Sequence, residues 1–365
     1  MPTQPAFKTK VTSLLCLKCN SNVNETLTRF WKAEDVPETF NENLTEHELA
    51  ESIFQKSVKL ENNTFYVDIP LKVPIEEVNN TLGNSFDSAY HRFLNLEKKL
   101  LKDPKLQSEY SRFINEFITL DHAEYVDLKS YNLNIDSVYF LPHHAVLNEN
   151  SKTTKVRAVF DASMKTKNKI SLNDLMLNGP PVQKELFDVI LLFRFGDYTF
   201  STDLQKMYRC IRVHPQFTPL QNILFRNDPN EEIKCLRLKT VTYGLKSSAY
   251  LATRCLNELS QQFGTMFPLG AAILDDNCYV DDVLYADSNL QNMLSARKQL
   301  QQLLSLGNFT THKWASNSPR ILDGIPVSQR QFDELELKNQ ECSMKALGLT
   351  INMEKDCFLI KCPKF

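Results

Sequence analysis

The sequence lacks several features that would assign a chain to a class of protein at once. No run of about 18 apolar residues occurs, and residues 1–10 lack the apolar core of a signal peptide. These absences predict an intracellular, cytoplasmic protein without a membrane partner. The nine cysteines are odd in number and lack the regular spacing of a disulfide framework. They are therefore interpreted as reduced thiols in a reducing compartment.

The chain also lacks the net positive charge that is typical of nucleic-acid-binding proteins, since its formal net charge is −2. This average conceals an asymmetry. Residues 25–127 carry 11 basic and 20 acidic side chains, whereas residues 152–214 carry 11 basic and 6 acidic side chains. The second segment fits either a cleft that faces a polyanion or an ordinary solvated surface, and composition alone leaves both open.

Two stretches place aspartates in a strand context. Residues 277–286 flank Asp281 and Asp282 with apolar or aromatic residues, which predicts a β-hairpin with this acid pair at its tip. Asp203 ends an earlier strand-like run and is followed by a short helix that contains Tyr208. Neighbouring carboxylates repel each other, and a divalent cation would relieve that repulsion. The alternative is that Asp-Asp is simply favourable in a turn.

Apolar periodicity predicts the other elements. They are a linker with short elements over residues 31–80 that includes a strand at 64–69, helices over 85–101 and 104–118, strands over 139–146 and 155–161, a strand over 238–244 that breaks at Gly244, helices over 247–259 and 289–306, a turn and strand over 307–314, and a hairpin of strands 347–352 and 357–360.

Three short patterns within these elements carry polar side chains that could bind a ligand or a metal ion. Lys155 and Arg157 share one face of their strand, where they would either hold a phosphate chain or lie on an exposed edge. His143 and His144 point to opposite faces of a strand and are not expected to share a metal ion. The acid pair at 275–276 is expected in a loop, because no apolar strand follows it directly.

Taken together, these acidic, basic and aromatic residues resemble those of a reverse transcriptase. Tyr279-Val-Asp-Asp282 is similar to the tyrosine-x-Asp-Asp hairpin of that family, and Asp203 is similar to the acid of its first palm strand. Tyr208 falls at the position of the steric gate, which excludes the ribose 2′-hydroxyl. Tyr243 and Gly244 resemble the element that supports the templating base pair and the incoming nucleotide. Lys155 and Arg157 are similar to the residues that hold the triphosphate.

Several strings further resemble the BEL/Pao group of long-terminal-repeat retrotransposon polyproteins, in order and in spacing. They are Leu141-Pro-His-His-Ala-Val146, Arg157-Ala-Val-Phe-Asp-Ala-Ser163, Ser171-Leu-Asn-Asp174, Gly179-Pro180, Thr240-Val-Thr-Tyr-Gly244 and Lys313-Trp-Ala-Ser-Asn317. The resemblance covers residues 30–365 and is most specific over 139–317.

The resemblance implies an RNA-directed DNA polymerase that uses two Mg²⁺ ions, with Mn²⁺ as a substitute. Asp203 and Asp281 would hold the ions about 3.5–4 Å apart, and Asp282 would support the hairpin as the third catalytic acid. Lys313 would donate a proton to pyrophosphate. The implied partners are an RNA or DNA template with its primer, deoxynucleoside triphosphates, and the protease, RNase H and integrase parts of a polyprotein outside this chain. A retrotransposon particle is an alternative location.

The implied fold is α+β, a right-hand fingers-palm arrangement with a helical or linker N-terminal region and a thumb that is incomplete or absent. We expect an acidic linker or N-terminal extension over 1–80, a helical hairpin over 81–135, fingers and palm over 136–317, and a truncated C-terminal hairpin over 318–365. Two positions depart from the family pattern. Ala249 replaces a proline, and Ile351 replaces a tryptophan.

Two alternatives to an active reverse transcriptase remain. One is a catalytically silent or domesticated nucleic-acid-binding fragment that keeps the fold, which the missing thumb would favour because fewer phosphate contacts remain. The other is a viral RNA-dependent RNA polymerase. Such an enzyme more usually has glycine in place of Tyr279 and would not need a gate at Tyr208.

Overall fold

The computed structural model describes residues 44–133, 135–147 and 156–331, together with three strands between residues 343 and 359. These residues belong to one compact unit, Asn43–Phe365. The helices within them are α1 (Leu44–Ser57), α2 (Val78–Leu82), α3 (Phe86–Leu100), α4 (Pro104–Thr119), α5 (Leu186–Leu192), α6 (Ser248–Phe263), α7 (Pro268–Asp276) and α8 (Leu290–Ser305).

The strands of the described residues form five small sheets rather than one large one. They are β1 (Lys59–Glu61), β2 (Thr64–Val67), β3 (Ala123–Val126), β4 (His143–Leu147), β5 (Val156–Phe160), β6 (Tyr198–Leu204), β7 (Arg212–Val213), β8 (Asn222–Phe225), β9 (Lys234–Leu238), β10 (Cys278–Tyr279), β11 (Asp282–Asp287), β12 (Thr311–Ser316), β13 (Ser343–Ala346), β14 (Leu349–Asn352) and β15 (Cys357–Leu359). The fold is mixed α+β, as predicted.

The sheet that carries the candidate site has four antiparallel strands in the order β10-β11-β6-β12. Strand β6 is therefore paired along both edges. Phe200 of β6 and Trp314 of β12 are fully buried, with ring centroids 5.1 Å apart, and Val283 of β11 is buried in the same core. Helices α5, α7 and α8 pack against β11. These contacts hold the acid-bearing strands on a rigid support.

The described residues form four further sheets. They have the strand orders β1-β2-β7, β3-β9-β8, β4-β5 and β13-β14-β15. In the β4-β5 hairpin, Val156, Ala158 and Phe160 are buried while Arg157 is exposed, so the predicted alternation of this strand is confirmed. Helix α4 packs on β5.

The predicted helical hairpin is confirmed by α3 and α4. Asp103 caps α4 by accepting a hydrogen bond from the backbone N–H of Leu106 at 3.0 Å, and Pro104 occupies the first turn. Both features follow from the sequence, because a carboxylate satisfies an otherwise unpaired N–H group and proline needs no partner there. The helices predicted at 247–259 and 289–306 correspond to α6 and α8.

The adjacent histidines lie on opposite faces, as predicted, since His143 is buried and His144 is exposed. The Nε2 of His143 donates to the carbonyl of Leu224 at 2.8 Å, and its Nδ1 accepts from the hydroxyl of Tyr110. Burial lowers the pKa of His143 to about 4, so the ring is neutral at pH 7. Its two nitrogens are therefore used within the core.

Three predictions about elements were wrong. Residues 44–57 form helix α1 rather than linker, and its buried side chains are few, Ala50 and Phe54 among them, so the apolar pattern is weak. No strand covers the predicted range 238–244, since β9 spans Lys234–Leu238 and the following residues Lys239 and Val241 bond to the backbone of residues 211–213. The acid pair 275–276 ends helix α7 and does not lie in a loop.

The C-terminal hairpin is part of a three-stranded sheet, since β13 pairs with β14 and β14 with β15. A helix that crosses a bilayer must be both long and apolar, and this applies to the helices of the described residues. None of them meets both criteria for a membrane span.

Candidate active site

The hairpin β10-β11 turns one residue earlier than predicted. Tyr279 pairs with Asp282, so the two-residue loop consists of Val280 and Asp281, and Asp282 is already the first residue of β11. Val280 has a φ of 54°, a conformation that is unfavourable for a β-branched side chain. Mirror-image turns of this length require positive φ, because their twist matches that of the flanking strands. The turn therefore stores strain beside the acids.

The register between β11 and β6 brings the three predicted acids together. Asp282 lies directly opposite Asp203, and the backbone N–H of Leu204 donates to the carbonyl of Asp281 at 2.7 Å. Directly opposed residues of antiparallel strands point to the same face, with Cβ atoms about 4.5–5.5 Å apart. Asp203 and Asp282 thus share a face at the end of the sheet, and Asp281 lies exposed in the adjoining turn.

The two oxygens of the Asp203 carboxylate have different environments. Its side chain is 17% exposed, and its Oδ2 forms an ion pair with the Nζ of Lys313. Its Oδ1 is buried and has no hydrogen-bond partner. A buried carboxylate oxygen without a donor is uncommon, because it loses its interaction with water without replacement. Such an oxygen is a suitable ligand for a hard cation such as Mg²⁺.

Lys313 reaches Asp203 because β12 is irregular at this point. His312 pairs with Asp203 and Ala315 with Ser201, so two residues of β12 lie opposite one residue of β6 and the strand contains one extra residue. Lys313 has a φ of 54°, whereas the next residue, Trp314, is buried in the core. Bulges of this kind redirect side chains and are frequent next to active sites. The sequence placed Lys313 near the acids, but its direct pairing with one of them was not predicted.

Gln183 is a site residue that the sequence analysis missed. Its side-chain oxygen accepts a hydrogen bond from the backbone N–H of Val280 at 2.7 Å, at the strained residue of the turn. Gln183 also lines a small cavity beneath the hairpin, together with Leu256 of α6, Leu274 of α7 and Cys278. The contact joins residues that are 97 positions apart, so no local pattern indicates it.

The residues assigned to the nucleotide form a second group near β5. Tyr208 lies in a short 3₁₀ helix, Met207–Cys210, and its ring is 6.5 Å from that of Tyr243 in an edge-on arrangement. The ring of Tyr243 is 5.4 Å from that of Phe160 in β5. Burial raises the pKa of Tyr243 to about 12, and the positive charges of Arg209 and Arg157 oppose this increase.

Gly244 makes a close approach that no other residue can make. Its φ is 95°, and a Cβ added there would lie 2.1 Å from the carbonyl oxygen of Phe160. Asn173 fixes the same segment by donating to the carbonyl of Gly244 at 3.0 Å and accepting from the N–H of Lys246 at 2.8 Å. Tyr243 and Gly244 thus both contact Phe160 of β5, the strand that carries Arg157 on its exposed face, whereas Lys155 lies outside the described residues.

Part of the basic segment 152–214 is neutralised within the chain. Arg209 and Lys206 pair with Glu116 at 2.6 and 2.9 Å, and Arg212 pairs with Asp121 at 2.7 Å. These acids come from the acidic segment 25–127. The charge asymmetry therefore reflects internal pairing as well as surface charge, and segment charge alone overstates how cationic the surface is.

The grouping of acidic and other ligand side chains determines what kind of metal site the chain can form. Within the described part of the chain, no three His, Cys, Asp or Glu side chains stand close enough to form a complete metal site. Mg²⁺ is commonly bound by one or two carboxylates, with the remaining ligands supplied by water and substrate phosphates. Asp203, with its unpartnered Oδ1, and the hairpin acids fit this incomplete type of site.

Comparisons with known proteins were made for the whole chain. Neither the protein-family models nor the curated proteins gave a match.

Proposed function

We propose that this chain is a reverse transcriptase domain, an RNA-directed DNA polymerase that transfers nucleotides to a primer 3′-hydroxyl. The observation that carries the proposal is the strand register that sets Asp282 opposite Asp203, with Asp281 in the adjoining turn. Acids from two separate strands at one sheet end form the type of arrangement that two-metal nucleotidyl transfer requires. The implied architecture is the fingers-palm arrangement, with the four-stranded sheet as the palm.

Asp203 and Asp281 would hold Mg²⁺, and Asp282 would add charge and support the hairpin. When bound, Mg²⁺ supplies acidification of the attacking hydroxyl and neutralisation of charge on the leaving pyrophosphate. The residues of the chain contribute orientation. Tyr208 would contact the sugar face of the nucleotide, and Arg157 would bind its phosphates. This division of labour relies on positioning and electrostatics rather than on covalent catalysis by a side chain.

Primer extension on an RNA template with Mg²⁺ tests the proposal. Asp203→Asn and Asp281→Asn are each expected to lower the rate at least about 100-fold, the usual scale for removing one charged group from a transition state. Asp276→Asn is the matched control, because this acid belongs to the same part of the chain, is half exposed, pairs with Lys184 at 3.4 Å and is not one of the three proposed catalytic acids. The control is expected to keep the wild-type rate.

The same experiment distinguishes the catalytically silent alternative. If wild type and Asp281→Asn extend a primer equally poorly, polymerase activity of this chain is ruled out. Template binding that persists in both proteins would then favour a nucleic-acid-binding fragment.

A separate experiment tests the assignment of Tyr208 as the steric gate that excludes ribonucleotides. Tyr208→Val is expected to increase ribonucleotide incorporation relative to deoxynucleotide incorporation, because the ring beside Tyr243 would no longer exclude a 2′-hydroxyl. Tyr208→Phe keeps the ring and is expected to retain discrimination. Equal use of both nucleotides by the wild-type protein would contradict the assignment.

A further inference from the structure

The short 3₁₀ helix that carries Tyr208, Met207–Cys210, is joined to helix α4 by the carboxylate of Glu116. The Oε1 of Glu116 pairs with the Nη1 of Arg209 at 2.6 Å and with the Nζ of Lys206 at 2.9 Å. Lys206 directly precedes the 3₁₀ helix, and Arg209 directly follows Tyr208. The two cations that meet at Glu116 therefore bracket the residue proposed as the steric gate.

Arg209 is the buried part of this connection. Its side chain is 4% exposed, its Nε donates to the Nδ1 of His122 at 2.9 Å, and its guanidinium lies over the ring of Phe117, 3.9 Å from the centroid. Burial lowers the pKa of His122 to about 4, so this ring is neutral at pH 7 and accepts the hydrogen bond. Glu116 supplies the negative charge in this set of contacts. A buried cation that loses such a partner is strongly destabilised.

The backbone of the 3₁₀ helix adds few constraints of its own. The N–H of Arg209 donates to the carbonyl of Lys206 at 2.8 Å. The N–H of Ile211 donates to the carbonyl of Tyr208 at 3.3 Å, which is long for a hydrogen bond of this type. Hydrogen bonds of 3₁₀ helices also have poorer geometry than those of α-helices. The side-chain contacts of Lys206 and Arg209 are therefore important for the orientation of Tyr208.

We propose that Glu116 is a positioning residue for the steric gate and thereby determines how strictly the chain selects deoxynucleotides. This inference rests on the proposed function. Without the charge of Glu116, Lys206 and Arg209 would repel each other, and the residues between them would shift. The ring of Tyr208 would then leave its edge-on arrangement with Tyr243. Glu116 acts on the nucleotide through Tyr208, from a position 93 residues before Arg209.

Primer extension with each type of nucleotide tests the inference, through the ratio of kcat/KM for deoxynucleotides to that for ribonucleotides. Glu116→Gln keeps the size of the side chain, removes its charge and is expected to lower this ratio about tenfold, a usual scale for coupling between contacting residues. A general loss of structure would lower both values of kcat/KM and leave the ratio unchanged. Glu116→Asp keeps the charge on a shorter side chain, and its ratio should lie between those of Glu116→Gln and the wild type.

Glu109→Gln is the matched control on the same helix. Glu109 pairs with Arg112, whose side chain is 75% exposed, so its substitution should leave the ratio at the wild-type value. Circular dichroism confirms that the variants are folded.

A double variant shows whether Glu116 acts through Tyr208. In Tyr208→Val the ring of the gate is absent, so adding Glu116→Gln should cause no further decrease in the ratio. A decrease in the double variant equal to the product of the two single effects would assign the effect of Glu116 to another group and overturn the inference.

Amide hydrogen exchange tests the positioning without nucleotide. The amides of Arg209 and Ile211 should exchange at least about tenfold faster in Glu116→Gln than in the wild type or in Glu109→Gln. Unchanged exchange at both amides, or an unchanged ratio in Glu116→Gln, would overturn this inference and leave the polymerase proposal intact. A wild-type protein that extends no primer would instead refute the polymerase proposal, and exchange alone would then decide whether Glu116 holds the 3₁₀ helix in place.

Discussion

The ion pair between Lys313 and Asp203 opposes the binding of any other cation to the same carboxylate. Replacing Lys313 by methionine keeps the length of the side chain and removes its charge. The affinity for Mn²⁺, followed by electron paramagnetic resonance without nucleotide, is expected to rise about tenfold, because the ion no longer competes with an ammonium group. Polymerase activity should fall in the same variant if Lys313 donates a proton.

Lys313→Arg separates charge from proton donation, since a guanidinium keeps its charge and does not release its proton near neutral pH. Its Mn²⁺ affinity should remain close to that of the wild type. An unchanged Mn²⁺ affinity in Lys313→Met would show that the ion pair does not limit access to Asp203.

The hydrogen bond from Val280 to Gln183 stabilises a turn whose backbone is strained. Gln183→Leu removes the acceptor and leaves a partly buried N–H group without a partner, which should lower the free energy of unfolding by about 1–2 kcal/mol. Amide hydrogen exchange at Val280 is expected to accelerate. Gln183→Glu retains an acceptor oxygen and should keep the amide protected. Equal protection in the leucine variant would assign the stability of the turn to the strands alone.

His143 makes stability depend on pH in a defined window. Its pKa is about 4 in the folded protein and about 6.5 in an unfolded chain, so the unfolded state binds more protons between these values. The contribution of the neutral ring is therefore complete above pH 6.5 and is lost as pH falls toward 4, by up to about 1.4 kcal/mol per pH unit. Urea unfolding at pH 7 and pH 5 measures this slope. His143→Gln should have a smaller slope, and an identical slope would refute the assignment.

At the scale of elements, charged contacts join helix α1 to α6 beside the packing of Phe54 on Tyr250. Arg254 of α6 is 8% exposed and bonds to Glu51 of α1 at 3.0 Å and to Glu258 at 2.9 Å. It also lies over the ring of Phe54, 4.7 Å from its centroid. Tyr250 of α6 donates to the same Glu51 at 2.7 Å. One buried cation thus joins the two helices.

Arg254→Met should lower the free energy of unfolding by about 3 kcal/mol, because two carboxylates lose their shared partner in a poorly solvated place. Arg112→Met is the control, since its pair with Glu109 is largely exposed and should contribute less than about 1 kcal/mol. Chemical denaturation of both variants provides the comparison. Equal effects of the two substitutions would mean that the contact between α1 and α6 does not depend on the buried arginine.

Elements with strong local signals were predictable. Asp103-Pro104 marked the start of α4, and the apolar stripes of α3 and α4 gave their extent, because capping and amphipathicity act over a few residues. Helix α1 was missed because charged side chains, Glu51 among them, contact partners about 200 residues away. Strand β9 was misplaced because the extended segment after Leu238 bonds to another part of the chain.

For the molecule as a whole, the sequence motifs indicated which residues lie near one another in the candidate site. The contacts between those residues depend on how distant parts of the chain pack. Asp203, Asp281, Asp282 and Lys313 were correctly expected near one another. The turn position, the Lys313 ion pair and the role of Gln183 required the register of four strands and contacts across about 100 residues. The internal neutralisation of Arg209 and Arg212 was equally hidden, because composition does not show which acids fold against a basic segment.

The two-residue loop between Tyr279 and Asp282 also determines which genetic changes the site can survive. Side chains alternate between the faces of a strand, so an insertion or deletion in this loop that shifts the pairing of β11 with β6 by one residue would turn every residue of β11 to the opposite face. Asp282 would then no longer face Asp203, and Val283, now buried, would face outward. Side chains of this sheet can be exchanged one at a time, whereas a single codon change that shifts this register would separate the acids in one step.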